Sequence, residues 1–380
     1  MTEKSNPVRF VFASDSFKGT LSSDDTARLL RAAARRHFPG CECVAVPMAD
    51  GGEGTTAAVV SACGGELRRV AAYDPLGRPI EAEFGLLPGG RAIVETAAAS
   101  GLPLLAPAER NPMLASTYGT GELIRAALNA GAAEVSVALG GSATNDGGMG
   151  AMRALGARFL DADGTELAGT GSDLGRVCDI DLSGLDERLA RVGFVAMCDV
   201  DNPLLGESGA TAVFGPQKGA DADALAELEA GMANYAQALA RAFDFDSATP
   251  GAGAAGGLGA ACQAFLCARM ERGVNQVINL VGLPQALGGA ALCVTGEGHA
   301  DSQTAHGKVV SGVAAACEAA GVPCVAIVGG MDAAAAELPG LTAMLPTQID
   351  AMPLDEALSR AEELYSLAAE RLFSLLAVRI

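Results

Sequence analysis

The chain has 380 residues, half of them hydrophobic, and a net charge of −19 with only 26 Lys and Arg. Single cores rarely grow past roughly 250–300 residues, so this length predicts two domains and excludes a small stapled scaffold. So acidic a chain lacks the basic face that nucleic acid or an anionic lipid surface demands. It must hold an anionic ligand with local devices: helix N-termini, a few placed lysines and a metal ion.

Taken in chain order, residues 9–13 form a short β-rich apolar run that ends in Ser14-Asp15-Ser16, and residues 22–37 carry a helical pattern with Ser22 and Ser23 suited to its N-cap. A second run at 43–46 precedes Asp50-Gly51-Gly52-Glu53-Gly54 and a helix through Val59 and Val60. Residues 68–87 alternate, with turns at Asp74-Pro75-Leu76-Gly77 and Pro88-Gly89-Gly90, the pattern of antiparallel hairpin strands. Near the C-terminus the β-α-β rhythm returns: 291–295 and 325–328 read as buried parallel strands around a helix at about 309–320, and 354–376 reads as one long amphipathic helix. The expected fold class is α/β, with a Rossmann-like domain formed by both chain ends (1–66 and 288–380) and a second, inserted α/β domain (67–287). The active site is expected in the cleft between them.

The ten cysteines are scattered among apolar runs, as at Cys198, Cys262, Cys267 and Cys293, and read as buried thiols. Cys41 and Cys43 have no second pair in zinc spacing. Residues 1–7 are polar and lack a signal core, and no stretch reaches about 18 uninterrupted apolar residues, so a cytoplasmic protein without a membrane segment is expected.

Five loops have the composition of phosphate or metal sites. Asp15-Ser16-Phe17-Lys18-Gly19-Thr20 follows the first strand, where open α/β sheets bind their ligands; Lys18 suits a phosphate or carboxylate contact, or is a solvated turn lysine. In Asp50-Gly51-Gly52-Glu53-Gly54 the glycines let backbone N–H groups approach an anion while Asp50 and Glu53 hold Mg²⁺, unless the loop is a plain βα turn with a capping Asp. Gly140-Gly141-Ser142-Ala143-Thr144-Asn145-Asp146-Gly147-Gly148 carries more glycine and small polar residues than one turn needs, and is read as facing a ligand. Asp199 and Asp201 share a side if their strand continues through them, suiting Mg²⁺ or a general base, or they are turn residues ahead of Pro203; Gln217-Lys218-Gly219 adds a cation. Finally, Thr295-Gly296-Glu297-Gly298 leads through Asp301 to Gly307-Lys308, an acid-plus-cation arrangement that is not a Walker A motif.

One literal motif points elsewhere. Gly251-Ala252-Gly253-Ala254-Ala255-Gly256 matches the dinucleotide fingerprint, yet it follows Pro250 and not a strand, and no acidic residue stands about 20 positions on at the end of a second strand. A glycine-rich loop feeding a helix N-terminus toward a nucleotide phosphate is the preferred reading.

Together and in this order, the blocks at 15–20 (DSFKGT), 49–55 (ADGGEGT), 118–123 (YGTGEL), 140–148 (GGSATNDGG), 198–205 (CDVDNPLL), 214–220 (FGPQKGA), 251–259 (GAGAAGGLG) and 295–298 (TGEG) resemble the bacterial glycerate kinase family over essentially the whole chain. The resemblance implies ATP-dependent phosphorylation of D-glycerate, typically to 2-phosphoglycerate, with Mg²⁺. The catalytic residues expected are Lys18, Asp199, Asp301 and Lys308. Nucleotide contacts are expected from Gly140, Ser142, Thr144, Asn145, Lys218, Gly253, Gly256, Gly257 and Gly296, and metal ligands from Asp50, Glu53 and Asp199. Glycerate is the expected small-molecule partner, and a homodimer stays open as the assembly. Kinases of other small sugar acids, a non-catalytic sugar-acid sensor and a dehydrogenase are the alternatives. The chain departs from the family pattern at Ser14, where Pro is usual, at His299-Ala300, where a basic and an aliphatic residue are usual, and at Val309-Val310, where Ala-Pro is common.

Overall fold

The computed structural model describes residues 7–17, 19–49, 54–301, 304, 308–332 and 338–378. The chain divides into two compact units, one made of Met1–Asp50 and Val274–Ile380, the other of Gly51–Gly273.

The first unit begins with β1 (Arg9–Ser14), α1 (Ser23–His37) and β2 (Glu42–Ala45). Ser22 caps α1 as its sequence suggests. Its side chain accepts from the backbone N–H of Asp25, and Asp25 reaches back to the Ser22 backbone, satisfying two otherwise orphaned donors.

The second unit runs through α2 (Thr55–Cys63), β3 (Glu66–Tyr73), β4 (Pro79–Leu87), β5 (Arg91–Glu95), α3 (Ala97–Ser100), α4 (Tyr118–Asn129), β6 (Glu134–Ala138), α5 (Met149–Ala154), β7 (Arg158–Leu160), β8 (Asp179–Asp181), β9 (Gly193–Met197), α6 (Ala210–Phe214), α7 (Ala222–Phe243), α8 (Ala254–Leu266) and β10 (Arg269–Glu271). Its main sheet has the order β10-β9-β6-β5-β4-β3. β3, β4 and β5 pair antiparallel, which is the hairpin region expected at 68–87, while β5, β6, β9 and β10 are parallel. One continuous core joins α4, α5, α7 and α8 to this sheet.

The chain then returns to the first unit with α9 (Gly273–Val281), α10 (Leu283–Leu287), β11 (Leu292–Ala300), α11 (Val309–Ala320), β12 (Cys324–Met331), β13 (Ala343–Pro346), α12 (Leu354–Ser359) and α13 (Ala361–Leu376). All five strands here are parallel, in the order β13-β12-β11-β1-β2. This is a doubly wound sheet whose strand order reverses between β1 and β11, the topological switch point at which such sheets bind ligands. Phe10, Phe12 and Phe373 pack edge to face beneath it.

Three sequence-based expectations differ in detail. The units part at 50/51 and 273/274, not at 66/67 and 287/288, because α2 packs on β4 of the second unit while α9 and α10 pack on α11 of the first. The long helix expected at 354–376 is two helices that meet at Arg360. β9 stops at Met197, so Asp199 and Asp201 are loop residues and strand alternation does not pair them.

Candidate active site

In the second unit, polar groups gather at the carboxyl ends of the parallel strands. Glu95, the last residue of β5, sends its carboxylate to the start of α2, accepting from the backbone N–H of Gly54 at 3.2 Å and of Thr56 at 2.5 Å. An anion therefore does meet the N-terminus of α2, as the glycine-rich turn suggests, but it belongs to the protein. Lys18, Asp50 and Glu53 lie outside the described residues.

After β6 the loop 140–148 folds around a buried carboxylate. Asp146 accepts from Thr117 N and Thr117 Oγ1, both at 2.7 Å, and from the backbone N–H groups of Gly148 at 3.1 Å and Gly150 at 3.2 Å. Complete burial raises its pKa even against these four donors. Asp146 thus shapes the loop and offers little to a ligand. Asn145 Nδ2 donates to Thr211 Oγ1 at 3.0 Å, whereas Asn145 Oδ1 and Thr144 Oγ1 are buried without a protein partner. Orphaned polar atoms of this kind are rare in folded proteins, and here two stand side by side in one loop.

Lys218 closes the same loop from the far side of the sequence. Its Nζ donates to Ser142 Oγ at 3.0 Å and to the Thr144 carbonyl at 2.7 Å, and the residue is 2% exposed. Burial pulls its pKa down from the ordinary 10.5 to about 7, with the charge of Asp146 opposing. The amine is thus poised to gain a proton when a second anion arrives. Gly140, Ser142, Thr144, Asn145 and Lys218 are therefore brought together.

The glycines of α8 have another part. A Cβ on Gly256 would lie 2.0 Å from the Thr144 carbonyl oxygen, and one on Gly257 2.7 Å from Gly147 Cα. Both have left-handed backbones, with φ of 68° and 91°. Their bare backbone is what lets α8 press on loop 140–148, and the Gly256 carbonyl accepts from Gly147 N at 2.9 Å. Gly253 packs likewise on the Pro203 carbonyl. Gly256 and Gly257 thus support the loop from behind, and Gly253 meets the segment after β9; the sequence placed all three on a nucleotide. No strand precedes Gly251, so the dinucleotide fingerprint lacks its structural context. Asp199, beyond β9, accepts at Oδ1 from Gly273 N at 2.9 Å.

The first unit has its own site at the switch point between β1 and β11. A cavity of about 680 Å³ is lined by Asp15 and Ser16 after β1, by Glu297 and His299 on β11, by Asp301 and Lys308, and on its apolar side by Met352, Leu354 and Leu358. Glu297 accepts from Thr304 Oγ1 at 2.7 Å, and burial raises its pKa. Asp301 Oδ1 accepts from Thr304 N at 3.1 Å and faces Lys308 Nζ at 3.4 Å. His299 Nε2 lies 3.3 Å from Asp332 Oδ1. Gly296 lies against β12, where a Cβ would stand 2.1 Å from the Ile327 carbonyl oxygen, so it serves strand packing. Asp301 and Lys308 are thus a pair, as their residue types suggest. Glu95 is the site residue that the sequence did not single out, whereas Glu297 stood with Asp301 as the acid of the expected acid-plus-cation arrangement. Only the Thr-Gly-Glu-Gly block marked Glu297, and nothing local marked Glu95.

Two α/β units with carboxylate, lysine and glycine loops at the carboxyl ends of parallel strands define the class, an α/β protein with polar loops gathered where such sheets bind their ligands. Comparison with known proteins narrows it to a kinase. The family model "Glycerate kinase family" matches residues 10–377. A glycerate kinase of Bacillus subtilis strain 168 is 44% identical over 360 residues, 94% of each chain, and a glycerate 2-kinase of Escherichia coli K12 is 40% identical over 375 residues, 98% of each. A crystal structure assigned to a glycerate kinase 2 from Salmonella typhimurium LT2 superposes with a TM-score of 0.89 at 41% identity, covering 98% of both chains. The chain belongs to the glycerate kinase family. Among the described residues no helix is long and apolar enough to cross a membrane.

Proposed function

We propose that the protein transfers the terminal phosphate of ATP to D-glycerate and that the product is 2-phosphoglycerate. The observation that carries this is the loop 140–148 with Lys218 behind it: a buried amine held near neutrality, with the orphaned Thr144 Oγ1 and Asn145 Oδ1 beside it. A phosphate seated there would return Lys218 to its charged form and turn an unfavourable buried cation into a paired one. The full-length likeness to a glycerate 2-kinase supports the acceptor and the position of transfer.

Mg²⁺ is commonly held by one or two carboxylates and completed by phosphate oxygens, and it would neutralise charge on the transferring group. Asp199 supplies a hard oxygen ligand beyond β9, with Asp50 and Glu53 as further candidates. In the first unit, Asp301 is proposed to orient or deprotonate the acceptor hydroxyl, with Lys308 as its ion-pair partner at 3.4 Å. Lys18 and Lys308 are the proposed cations for the carboxylate or phosphate of the acceptor.

Purified protein is expected to release ADP on addition of D-glycerate and ATP, with NMR of the product showing phosphate on carbon 2. ADP release with a different sugar acid alone overturns the acceptor and leaves the kinase class standing. Phosphate on carbon 3 overturns only the position.

A further inference from the structure

The first unit holds a second chemical feature, remote from its cavity. Cys293 on β11, Cys317 on α11 and Cys324 at the start of β12 are each 0% exposed, and their three sulfurs lie within 4.8 Å of one another. Cys293 and Cys324 are direct neighbours across the parallel pair β11–β12, and α11 packs over both strands. The remaining cysteines do not converge in this way; Cys41 and Cys43 form only a pair, with sulfurs 3.5 Å apart. Among the described residues this is the one group of three side chains able to hold a metal ion.

Three sulfurs from three separate elements form a soft donor set without oxygen or nitrogen, which suits thiophilic ions and repels Mg²⁺. Charge narrows the choice. In a fully buried pocket an uncompensated charge is costly. Three thiolates around a monovalent ion leave two negative charges, around a divalent ion one, and around a trivalent centre none.

We infer that Cys293, Cys317 and Cys324 form a three-sulfur site for a thiophilic trivalent centre of the arsenite class. Arsenous acid, As(OH)₃, would react by exchange. Three As–O bonds break and three As–S bonds form, each hydroxide leaving with one thiol proton as water, and arsenic stays trivalent throughout. The site lies at the amino end of the sheet. Cys324 is five residues from Gly329 on the cavity wall, roughly 16 Å along β12. Occupancy would clamp β11, α11 and β12 together, and because the sulfurs are buried it would develop slowly, through local opening.

The test uses the full-length protein, fully reduced, with sodium arsenite as the probe. Intact-mass spectrometry is expected to show the gain of one arsenic with the loss of three protons, and Tm to rise by roughly 5–10 °C at about 100 Kd. The double variant Cys41→Ala/Cys43→Ala should keep that adduct, and Cys317→Ala should lose it. If Cys317→Ala fails to fold, arsenic X-ray absorption on the Cys41→Ala/Cys43→Ala protein decides: three sulfur neighbours and no oxygen support the site. The inference is overturned by no adduct, by an adduct that loses only two protons and vanishes in the Cys41→Ala/Cys43→Ala protein, or by an arsenic with two sulfur neighbours and one oxygen.

Discussion

The amine of Lys218 donates across 3.0 Å to the hydroxyl of Ser142, 76 residues earlier in the chain, and both are buried. A lysine in this position works against the fold at neutral pH and for the ligand. Its folded pKa of about 7 lies below the ordinary 10.5, so between those values the unfolded chain binds more protons than the folded one. Stability from this group therefore rises with pH across the window 7–10.5, and below about pH 7 the destabilisation is complete. Lys218→Met should flatten that slope in urea melts, raise stability at pH 7, and lower kcat/KM by about 10²–10³. A variant with the wild-type slope and full activity would remove Lys218 from both roles.

Glu95 predicts the opposite balance. It satisfies two backbone donors at the start of α2, and Glu95→Ala leaves both without their acceptor. The expected loss is about 1–3 kcal/mol in chemical denaturation, because stranded buried donors pay their desolvation cost. Glu95→Gln keeps one acceptor and should lose less. Equal losses in the two variants would show that the carboxylate charge, and not the hydrogen bonds, carries the effect.

Asp301→Asn tests the proposed base. The carboxylate sits 3.4 Å from Lys308 and shares Thr304 with Glu297, so the amide should preserve the local fold. Turnover is expected to fall on the order of 10²–10³ with an unchanged Tm. Near-normal turnover would show that another group handles the acceptor hydroxyl.

His299 lines the cavity where the family usually carries a basic residue, and its ring faces Asp332 at 3.3 Å. His299→Arg supplies a permanent charge and a bidentate donor for a carboxylate. A fall in KM for glycerate of about threefold to tenfold is expected, a pair in partly exposed surroundings being worth roughly 1 kcal/mol. An unchanged KM for glycerate would exclude a contact between this position and the substrate carboxylate.

Much of the first unit could be read from its residues, because its signals are local. The Ser22 cap, the apolar runs of β1 and β11 and the α11 pattern each declare themselves within a dozen positions. The break at Arg360 escaped notice because the apolar positions keep their spacing on both sides of it. The density of glycine and hydroxyl residues in loop 140–148 marks it as a candidate ligand loop, yet the division of labour inside it is not legible from the sequence. That Asp146 shapes the loop while Thr144 and Asn145 keep orphaned atoms depends on Thr117, Thr211 and Gly256, all distant in sequence. Glu95 was invisible for the same reason, its partners standing 39 and 41 residues away. The glycines of α8 match a fingerprint that records spacing alone, and the same spacing serves close packing of backbone on backbone.

The placement of β1 between β2 and β11 bears on how the protein is made. The hydroxyl of Thr295 bonds the Ala13 carbonyl across 282 residues, so the first strand cannot complete its sheet until more than three quarters of the chain has been synthesised. At roughly 5–20 residues per second that wait is on the order of 15–55 s. The contiguous second unit has all its strands in hand only shortly before then, while Phe10, Val11 and Phe12 emerge early with one edge unpaired. An apolar strand waiting on the ribosome is an aggregation hazard, so refolding yield and chaperone dependence should respond to polar substitution at Val11 more sharply than equilibrium stability alone would suggest.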